Sequence, residues 1–426
     1  MQNDKVISVG IDFGTTNSVV ALARASGEVN VLKWPTRAGV SDTFRTAMLF
    51  WPEGGELHHV SGPAALDAKI ADEHEHRFIQ SIKTHVASAL FTETRLFGKK
   101  LTIEDLVATF LTDLTHQERA AICAPEMPIA AGRPVVFAGE RPNEVLAEQR
   151  LHTAYAQAGM SKVSLAFEPL GAAYYYARDL KRDETVLVAD FGGGTSDFSV
   201  IRFTRTDGQL RAAALAHTGV GIAGDTFDYR LIDRLVAPKL GKGTLYRSHE
   251  KRLPLPSHYH AAFSQWHQLS WLKTPKTLAE LRRLIRDAEA PDQLEDLVTM
   301  IETDAGFDLY QAISAVKIQL SSQDSAELVF EREGLHIKAK VTRAQFETWI
   351  AHDLEKINAS MSEAVIAAGL DMADIDAVFL TGGTSYVPSL RELFTRQFGA
   401  QKVHIGDAFQ SVAVGLALYA RDMAAN

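Results

Sequence analysis

Short apolar runs rich in β-branched residues recur along this chain, and many of them end at glycine or at a hydroxyl or carboxyl side chain. Ile7 to Ile11 runs into Asp12-Phe13-Gly14-Thr15-Thr16-Asn17-Ser18, and Val19 to Leu22 is apolar again. Thr185 to Ala189 runs into Asp190-Phe191-Gly192-Gly193-Gly194-Thr195-Ser196-Asp197, followed by Phe198 to Ile201. Runs of this length bounded by turn residues predict buried strands, so each stretch reads as strand, tight turn, strand. Between them the pattern predicts a strand pair over Gly27 to Lys33, a strand over Thr46 to Trp51 stopped by Pro52, and a short helix entered through Gly62 to Ala68. Thr102 caps a helix to Leu114, with Leu106, Val107, Phe110, Leu111 and Leu114 at helical spacing. Pro134 to Gly139 reads as a buried strand. A helix follows from Asn143 to Gly159, with Val145, Leu146, Leu151 and Tyr155 on one side. Val163 to Phe167 is the next strand, ended by Glu168-Pro169, and Leu170 to Leu180 is a helix of small and aromatic residues.

Beyond the second turn, Leu210 to His217 reads as a strand leading through Gly219-Val220-Gly221-Ile222-Ala223-Gly224 to a helix from Asp225 to Leu240. From Gly241 to about Gly306 a basic, turn-rich patch gives way to amphipathic helices around Trp266 to Leu272 and Leu278 to Ile285. A helix over Leu309 to Leu320, a hairpin turning at Glu333-Gly334, and a long helix capped by Thr342 come next. Ala377 to Thr381 is a buried strand that reaches Gly382-Gly383-Thr384-Ser385, with a helix opening near Pro388. Val403 to Ile405 and a helix from Ser411 to Ala420 close the series. Strands alternating with helices predict an α/β layered architecture.

With 426 residues, 46% of them hydrophobic, the chain can bury more than one core. Its 44 basic and 53 acidic side chains leave a charge of −9, which argues against nucleic acid as the main partner. No run of about 18 apolar residues could span a membrane, and nothing like a leader precedes the first strand. Cys123 is the single cysteine. A soluble, reducing, cytoplasmic setting is expected.

The glycine turns carry the candidate chemistry. Glycines in a row crowd backbone N–H groups together, which suits a phosphate. Carboxylates at both ends of the second turn repel a phosphate, and a divalent cation resolves this, most simply Mg²⁺ keeping several waters. The frame strand, Asp-Phe-Gly, Thr, strand occurs twice, so two hairpins close on one polyphosphate with Asp12 and Asp190 facing a shared cation. An ordinary glycine-rich hairpin competes with this reading at either copy alone. At the third site a double glycine lets a flat base or ribose approach, and a packing turn is an equal reading of that motif. Gly219 to Gly224 fits the dinucleotide fingerprint, but it follows a hairpin strand and lacks an acidic residue about 20 positions on. No Gly-x-x-x-x-Gly-Lys-Ser/Thr loop is present. His74, His76, His249, His258, His260 and His267 have no metal-ligand spacing.

Taken together, Gly10 to Ser18, Glu168 to Ala173, Asp190 to Asp197, Gly224 to Asp228 and Gly382 to Pro388 resemble the actin, sugar-kinase and heat-shock-chaperone superfamily of ATPases. The likeness is nearest to the nucleotide-binding domain of DnaK-type seventy-kilodalton heat-shock chaperones, in particular the stand-alone YegD-type members. It implies an actin-like ATPase fold of two pseudo-symmetric lobes, each split into two subdomains, with a nucleotide cleft between them. The lobes fall at 1–184, with a peripheral subdomain at about 34–127, and 185–426, with one at about 224–342. The last helix, 408–424, packs back on the first lobe. The resemblance implies ATP or ADP and Mg²⁺ as cofactors. Gly14, Thr15, Thr16 and Asn17 hold phosphate from the first hairpin, and Gly192, Gly193, Gly194 and Thr195 from the second. Asp12 and Asp190 bind Mg²⁺ through its waters, with Glu168 in the same polar shell, and Lys83, Asp190 and Asp197 orient the attacking water. Gly224 and Asp225 lie at phosphate, while Lys317, Ser321, Gly382, Gly383, Thr384 and Tyr386 flank the nucleoside.

The chain departs from the family pattern at three places. Ser314 and Ile318 stand where the family has a glutamate and a nucleoside-stacking arginine, and Tyr386 replaces a second arginine. The lobe segment from Asp228 to Lys317 is longer. The sequence stops without the hydrophobic linker or a peptide-binding domain, so the family's usual coupling of hydrolysis to substrate release is not expected within this chain; the resemblance implies a slow Mg-dependent ATPase signalling to an unidentified protein partner or client. A small-molecule kinase or a filament-forming ATPase of the same superfamily is the alternative, and an NAD enzyme a distant one.

Overall fold

The computed structural model describes the chain except residues 1–4, 38, 72–74, 140, 179, 207–208, 265–268, 270–271, 304, 333, 407–409 and 426. It divides into two compact units: Met1–Ala223 with Lys356–Ser385 and Leu390–Asn426, and Gly224–Glu355 with Tyr386–Ser389.

The first unit is built on two sheets of one design. In the first, β1 (Val6–Asp12), β2 (Asn17–Arg24) and β3 (Val29–Val31) form an antiparallel meander, while β4 (Ile129–Arg133) and β5 (Val163–Phe167) extend it in parallel on the other side of β1. In the second, β6 (Glu184–Phe191), β7 (Ser196–Thr206) and β8 (Gln209–Val220) form the meander, and β9 (Ala377–Thr381) and β10 (Val403–Ile405) the parallel extension. The strand orders, β5-β4-β1-β2-β3 and β8-β7-β6-β9-β10, therefore correspond one to one. Helices α1 (Glu144–Gln157) and α2 (Glu168–Ala177) follow β4 and β5. Parallel strands need such crossovers and are covered on both faces, which is why β6 is buried from Thr185 to Phe191.

The last helix, α3 (Ser411–Ala425), lies against β1 and α2 at backbone distance. A Cβ on Gly10 would meet the Ala413 carbonyl oxygen at 2.0 Å, and one on Gly415 would meet that of Gly171 at 1.7 Å. Ser8 Oγ donates to the Ala417 carbonyl at 2.8 Å. The small residues of both helices thus permit an approach that larger side chains would block.

The Thr102 cap is a full capping box: Asp105 N–H donates to Thr102 Oγ1 at 3.1 Å, and Thr102 N–H to Asp105 Oδ2 at 2.9 Å. The strand expected at Pro134–Gly139 lies instead at Ile129–Arg133. Val135 and Val136 give their N–H groups to a side chain, Asp197 Oδ1, at 2.9 and 3.2 Å, so they join no ladder. Over Gly27 to Lys33 there is a single strand, β3, because Gly27 is spent on a turn at φ +90°. Leu151 and Tyr155 are buried as expected, but Val145 is 67% exposed, and Ala147, Arg150 and Ala154 complete the buried face of α1. The helix expected from Leu170 begins at Glu168 itself.

In the second unit, the helix expected over Asp225–Leu240 is α-helical only over Gly224–Leu231. It loosens to a π turn at Ile232–Val236 and tightens at Ala237–Leu240, where Pro238 supplies no N–H. The basic patch forms a hairpin, Leu245–Ser248 with Lys251–Pro254. Helices Pro275–Ile285 and Pro291–Glu302 follow, the second unanticipated. The helix Gly306–Ser322 packs on the antiparallel pair Ser325–Arg332 and Leu335–Thr342. The helix expected around Trp266 to Leu272, with His267, falls largely outside the described residues, as do His74, Glu333 and residues 408–409. Among the described residues no helix is long and apolar enough to cross a membrane.

Candidate functional site

β1 and β6 are corresponding strands, and each carries its aspartate at its C-terminal end: Asp12 closes β1, and Asp190 is next to last in β6. Beyond Asp12 the chain turns so tightly that a Cβ on Gly14 would meet the Asn17 carbonyl oxygen at 2.1 Å. Thr46 braces this turn, its hydroxyl donating to the Gly14 carbonyl at 2.8 Å and its N–H to that of Thr16 at 2.9 Å. Beyond Asp190 the turn is closed by Gly192 N–H donating to the Thr195 carbonyl at 3.0 Å. The third glycine site leans on the second. Gly382 takes φ +81°, a side chain there would meet the Phe191 carbonyl oxygen at 2.2 Å, and Thr384 Oγ1 donates to the Gly192 carbonyl at 3.1 Å.

Behind the turns sits a buried cluster of charge. Lys83 Nζ forms an ion pair with Glu168 Oε1, both largely buried, and lies 5.9 Å from the centre of the Phe13 ring. Gly132 leaves room for this glutamate, since a Cβ there would fall 2.9 Å from Glu168 Cγ. Asp197 is 1% exposed, and besides the two valine N–H groups it accepts from Thr195 Oγ1 at 2.7 Å. Burial, with Glu168 adding and Lys83 opposing, pushes Asp12 up to about 7. Burial and the charges of Glu168, Asp12 and Asp197 push Asp190 well above the carboxylate range. Asp197 is pushed up to about 7 by burial and Glu168, against the restraint of its three hydrogen bonds. Burial alone would lower Lys83, but Glu168 and Asp12 outweigh it and hold the lysine above its ordinary value. Several carboxylates thus share one lysine, and the excess is negative.

These donors are hard oxygens around uncompensated negative charge, which fits a divalent cation such as Mg²⁺. Among the described residues no three acidic, His or Cys side chains converge on one ion position. The fit is to a hydrated ion that takes its remaining ligands from water and phosphate.

In the second unit, Gly224 and Asp225 open a helix N-terminus. Lys317 is already engaged, donating to the Gly224 carbonyl at 3.1 Å and to Asp228 Oδ2 at 2.8 Å. Ser321 Oγ turns back to the Lys317 carbonyl at 3.2 Å. Ile318 and Tyr386 are 66% and 44% exposed. The dinucleotide-fingerprint reading fails on topology: Gly219 and Val220 lie inside β8, the third strand of an antiparallel meander, with no crossover helix before it. A Cβ on Gly219 would meet Asp197 Oδ1 at 2.7 Å, so this glycine makes room for the aspartate.

The family model for Hsp70 protein matches residues 57–253 and 298–424. The chain belongs to the Hsp70 family. Its fold is accordingly the actin-like ATPase fold, and the paired sheets are its duplication. Curated relatives include the "Chaperone protein DnaK" of Thermotoga petrophila and of Thermotoga maritima, each 26% identical across all of this chain and 61% of the relative. The same protein of Thermosipho africanus is 26% identical, with 60% of it covered. The chain thus spans about three-fifths of the length of the curated relatives it matches.

Within this Hsp70 framework the structure gathers Asp12, Lys83, Glu168, Asp190 and Asp197 in the first unit. It sets the Gly14–Asn17, Gly192–Thr195 and Gly382–Thr384 turns in that unit as well. Sequence reasoning missed Thr46 and the Val135–Val136 backbone. A threonine between two short strands carries no local mark, and backbone donors carry none at all. Lys83, named through the resemblance, sits in the turn Ile82–His85, which opens at Ser81 with a left-handed backbone (φ +53°) and buries Ile82 and Lys83.

Proposed function

We propose that this Hsp70-family chain binds adenine nucleotide with Mg²⁺ and slowly hydrolyses ATP to ADP and phosphate. The observation that carries the proposal is the buried excess of carboxylates around Lys83, flanked by two matching glycine turns. The lobes are residues 1–184 and 185–426, and each is headed by one five-strand path. Backbone N–H groups of Gly14 to Asn17 and Gly192 to Thr195, with the hydroxyls of Thr15, Thr16 and Thr195, hold the phosphates. Asp12 and Asp190 would hold the metal, and a bound Mg²⁺ would offset the charge of both phosphates and carboxylates. Asp197, fixed by its three hydrogen bonds, accepts a hydrogen bond from the attacking water. Lys83, held by Glu168, and Asp190 orient the same water. Water attacks in line, and positioning with electrostatic stabilisation supplies the rate. Lys317, Ser321, Tyr386 and the Gly382–Gly383 turn are assigned to the nucleoside, and Gly224 with Asp225 to phosphate. An unidentified protein partner or client reads the nucleotide state, in a cytoplasmic setting.

Calorimetric titration with Mg-ATP, Mg-ADP and NAD, on the parent and on Asp190→Ala, tests this. Adenine nucleotide binding that depends on Mg²⁺ and is lost in the variant is the expected result. NAD binding with no response to either adenine phosphate overturns the proposal. The kinase and filament alternatives predict a phosphorylated small-molecule acceptor or ATP-dependent sedimentation, and the same preparation serves for both.

A further inference from the structure

We infer that Thr46 is the positioning residue that sets the first phosphate turn in register with the turn carrying Lys83; this rests on the nucleotide reading above. Thr46 is 1% exposed and stands where the chain leaves one sheet for another: Phe44–Arg45 pairs with β2, and Ala47–Glu53 pairs with Arg77–Gln80. Every polar group it owns is spent on joining the two. Its hydroxyl donates to the Gly14 carbonyl at 2.8 Å and lies 2.9 Å from Ser18 Oγ, itself fully buried. Its N–H donates to the Thr16 carbonyl at 2.9 Å. Its own carbonyl accepts from Ser81 N–H at 3.2 Å. Ser81 then opens Ile82–His85, and Lys83 at its second position pairs with Glu168. One residue therefore links the carbonyls of the Gly14–Asn17 turn to the start of the lysine turn, with no flexible side chain between.

Such a link has a kinetic consequence. The turn holds phosphate through its own N–H groups, which do not need the Thr46 hydroxyl. The hydroxyl is the link's side-chain anchor on Gly14 and Ser18, beside the main-chain bonds to Thr16 and Ser81; losing it loosens the placement of Lys83 beside that phosphate, and small misplacements of a catalytic group cost far more in rate than in binding. Thr46 touches neither water nor phosphate itself and acts through Gly14 and Ser81.

The test uses the full chain with Thr46→Val, which keeps the shape and loses the hydroxyl, and Thr46→Ser, which restores it. Single-turnover hydrolysis of Mg-ATP is expected to slow by about 10-fold to 100-fold in Thr46→Val. Mg-ADP affinity is expected to change by less than about 3-fold, and Thr46→Ser to recover most of the rate. An unchanged rate in Thr46→Val overturns the inference. So does a parallel fall of rate, ADP affinity and melting temperature that Thr46→Ser fails to rescue, since that marks a merely structural residue. A parent chain that binds no Mg-nucleotide sinks the nucleotide reading itself, and this inference with it.

Discussion

Asp12 shows what the site demands of single residues. Its carboxyl has an ordinary value of 3.8 and is held at about 7 in the folded chain. Between those values the folded state keeps a proton that the unfolded state has lost. Stability from this group is therefore undiminished below pH 3.8, declines as pH rises, and reaches its full deficit above about 7. Without metal or nucleotide, Asp12→Asn is expected to melt at least about 2 °C above the parent at pH 8, and level with it near pH 4. Thermal melts at the two pH values decide this; an Asn variant less stable at pH 8 contradicts it. If Asp12 holds the metal as proposed, saturating Mg-ADP should reverse the order, because only the parent would keep the full site. The residues proposed for the nucleoside differ in their freedom to bind it. Lys317 and Ser321 already serve internal bonds, which leaves Tyr386 and Ile318 as exposed surface. Stacking on Tyr386 should therefore dominate: Tyr386→Ala is expected to weaken Mg-ADP binding roughly 10-fold and Tyr386→Phe hardly at all. Equal losses in both variants would assign the effect to the phenol hydroxyl instead.

Elements were legible where local chemistry and periodicity agreed. Thr102, Asp105 and the stripe from Leu106 to Leu114 specify one helix at several levels, and that helix forms with its capping box intact. Pro134–Gly139 misled because Val135, Val136 and Phe137 have strand character, while the deciding fact was a side chain over sixty residues away, Asp197, taking their N–H groups. The short apolar run could not distinguish a ladder from a loop pinned at the site. The richness of the last helix in small residues was visible, but its reason was not: a backbone contact between Gly415 and Gly171 is a property of two helices. Gly415→Ala is accordingly expected to cost about 3 kcal/mol or more by overpacking. Gly221→Ala, whose new methyl group meets nothing within 4 Å, should stay within about 0.5 kcal/mol. Equal denaturation midpoints for the two variants would refute the close crossing.

On the scale of the whole molecule, the repeated Asp-Phe-Gly frame was the sequence trace of a duplicated sheet. The frame marks only the two strands flanking each turn; the parallel partners β4, β5, β9 and β10 carry no shared motif, so the full correspondence emerges only from pairing. The residues about the turns could be named because glycine, aspartate and threonine leave a pattern. The segment from Gly241 to Gly306 could not, because its helices and hairpin are ordinary amphipathic pieces without chemistry of their own. Membership of the Hsp70 family accounts for the duplication, and each copy carries an aspartate at the end of the same strand, within the charge cluster. Burial, Glu168 and Asp12 together push Asp190 up, a charge excess that the proposed shared cation would offset.

A double-mutant cycle on Mn²⁺-ADP binding, followed by electron paramagnetic resonance of the metal in the parent, Asp12→Asn, Asp190→Asn and the double variant, tests the proposed shared cation most directly. Each single substitution is expected to weaken metal-nucleotide binding by about 10-fold or more, and the double variant to lose little beyond the worse single one, because both carboxylates serve one ion. Losses that simply multiply, or a parent-like affinity in either single variant, would contradict the account.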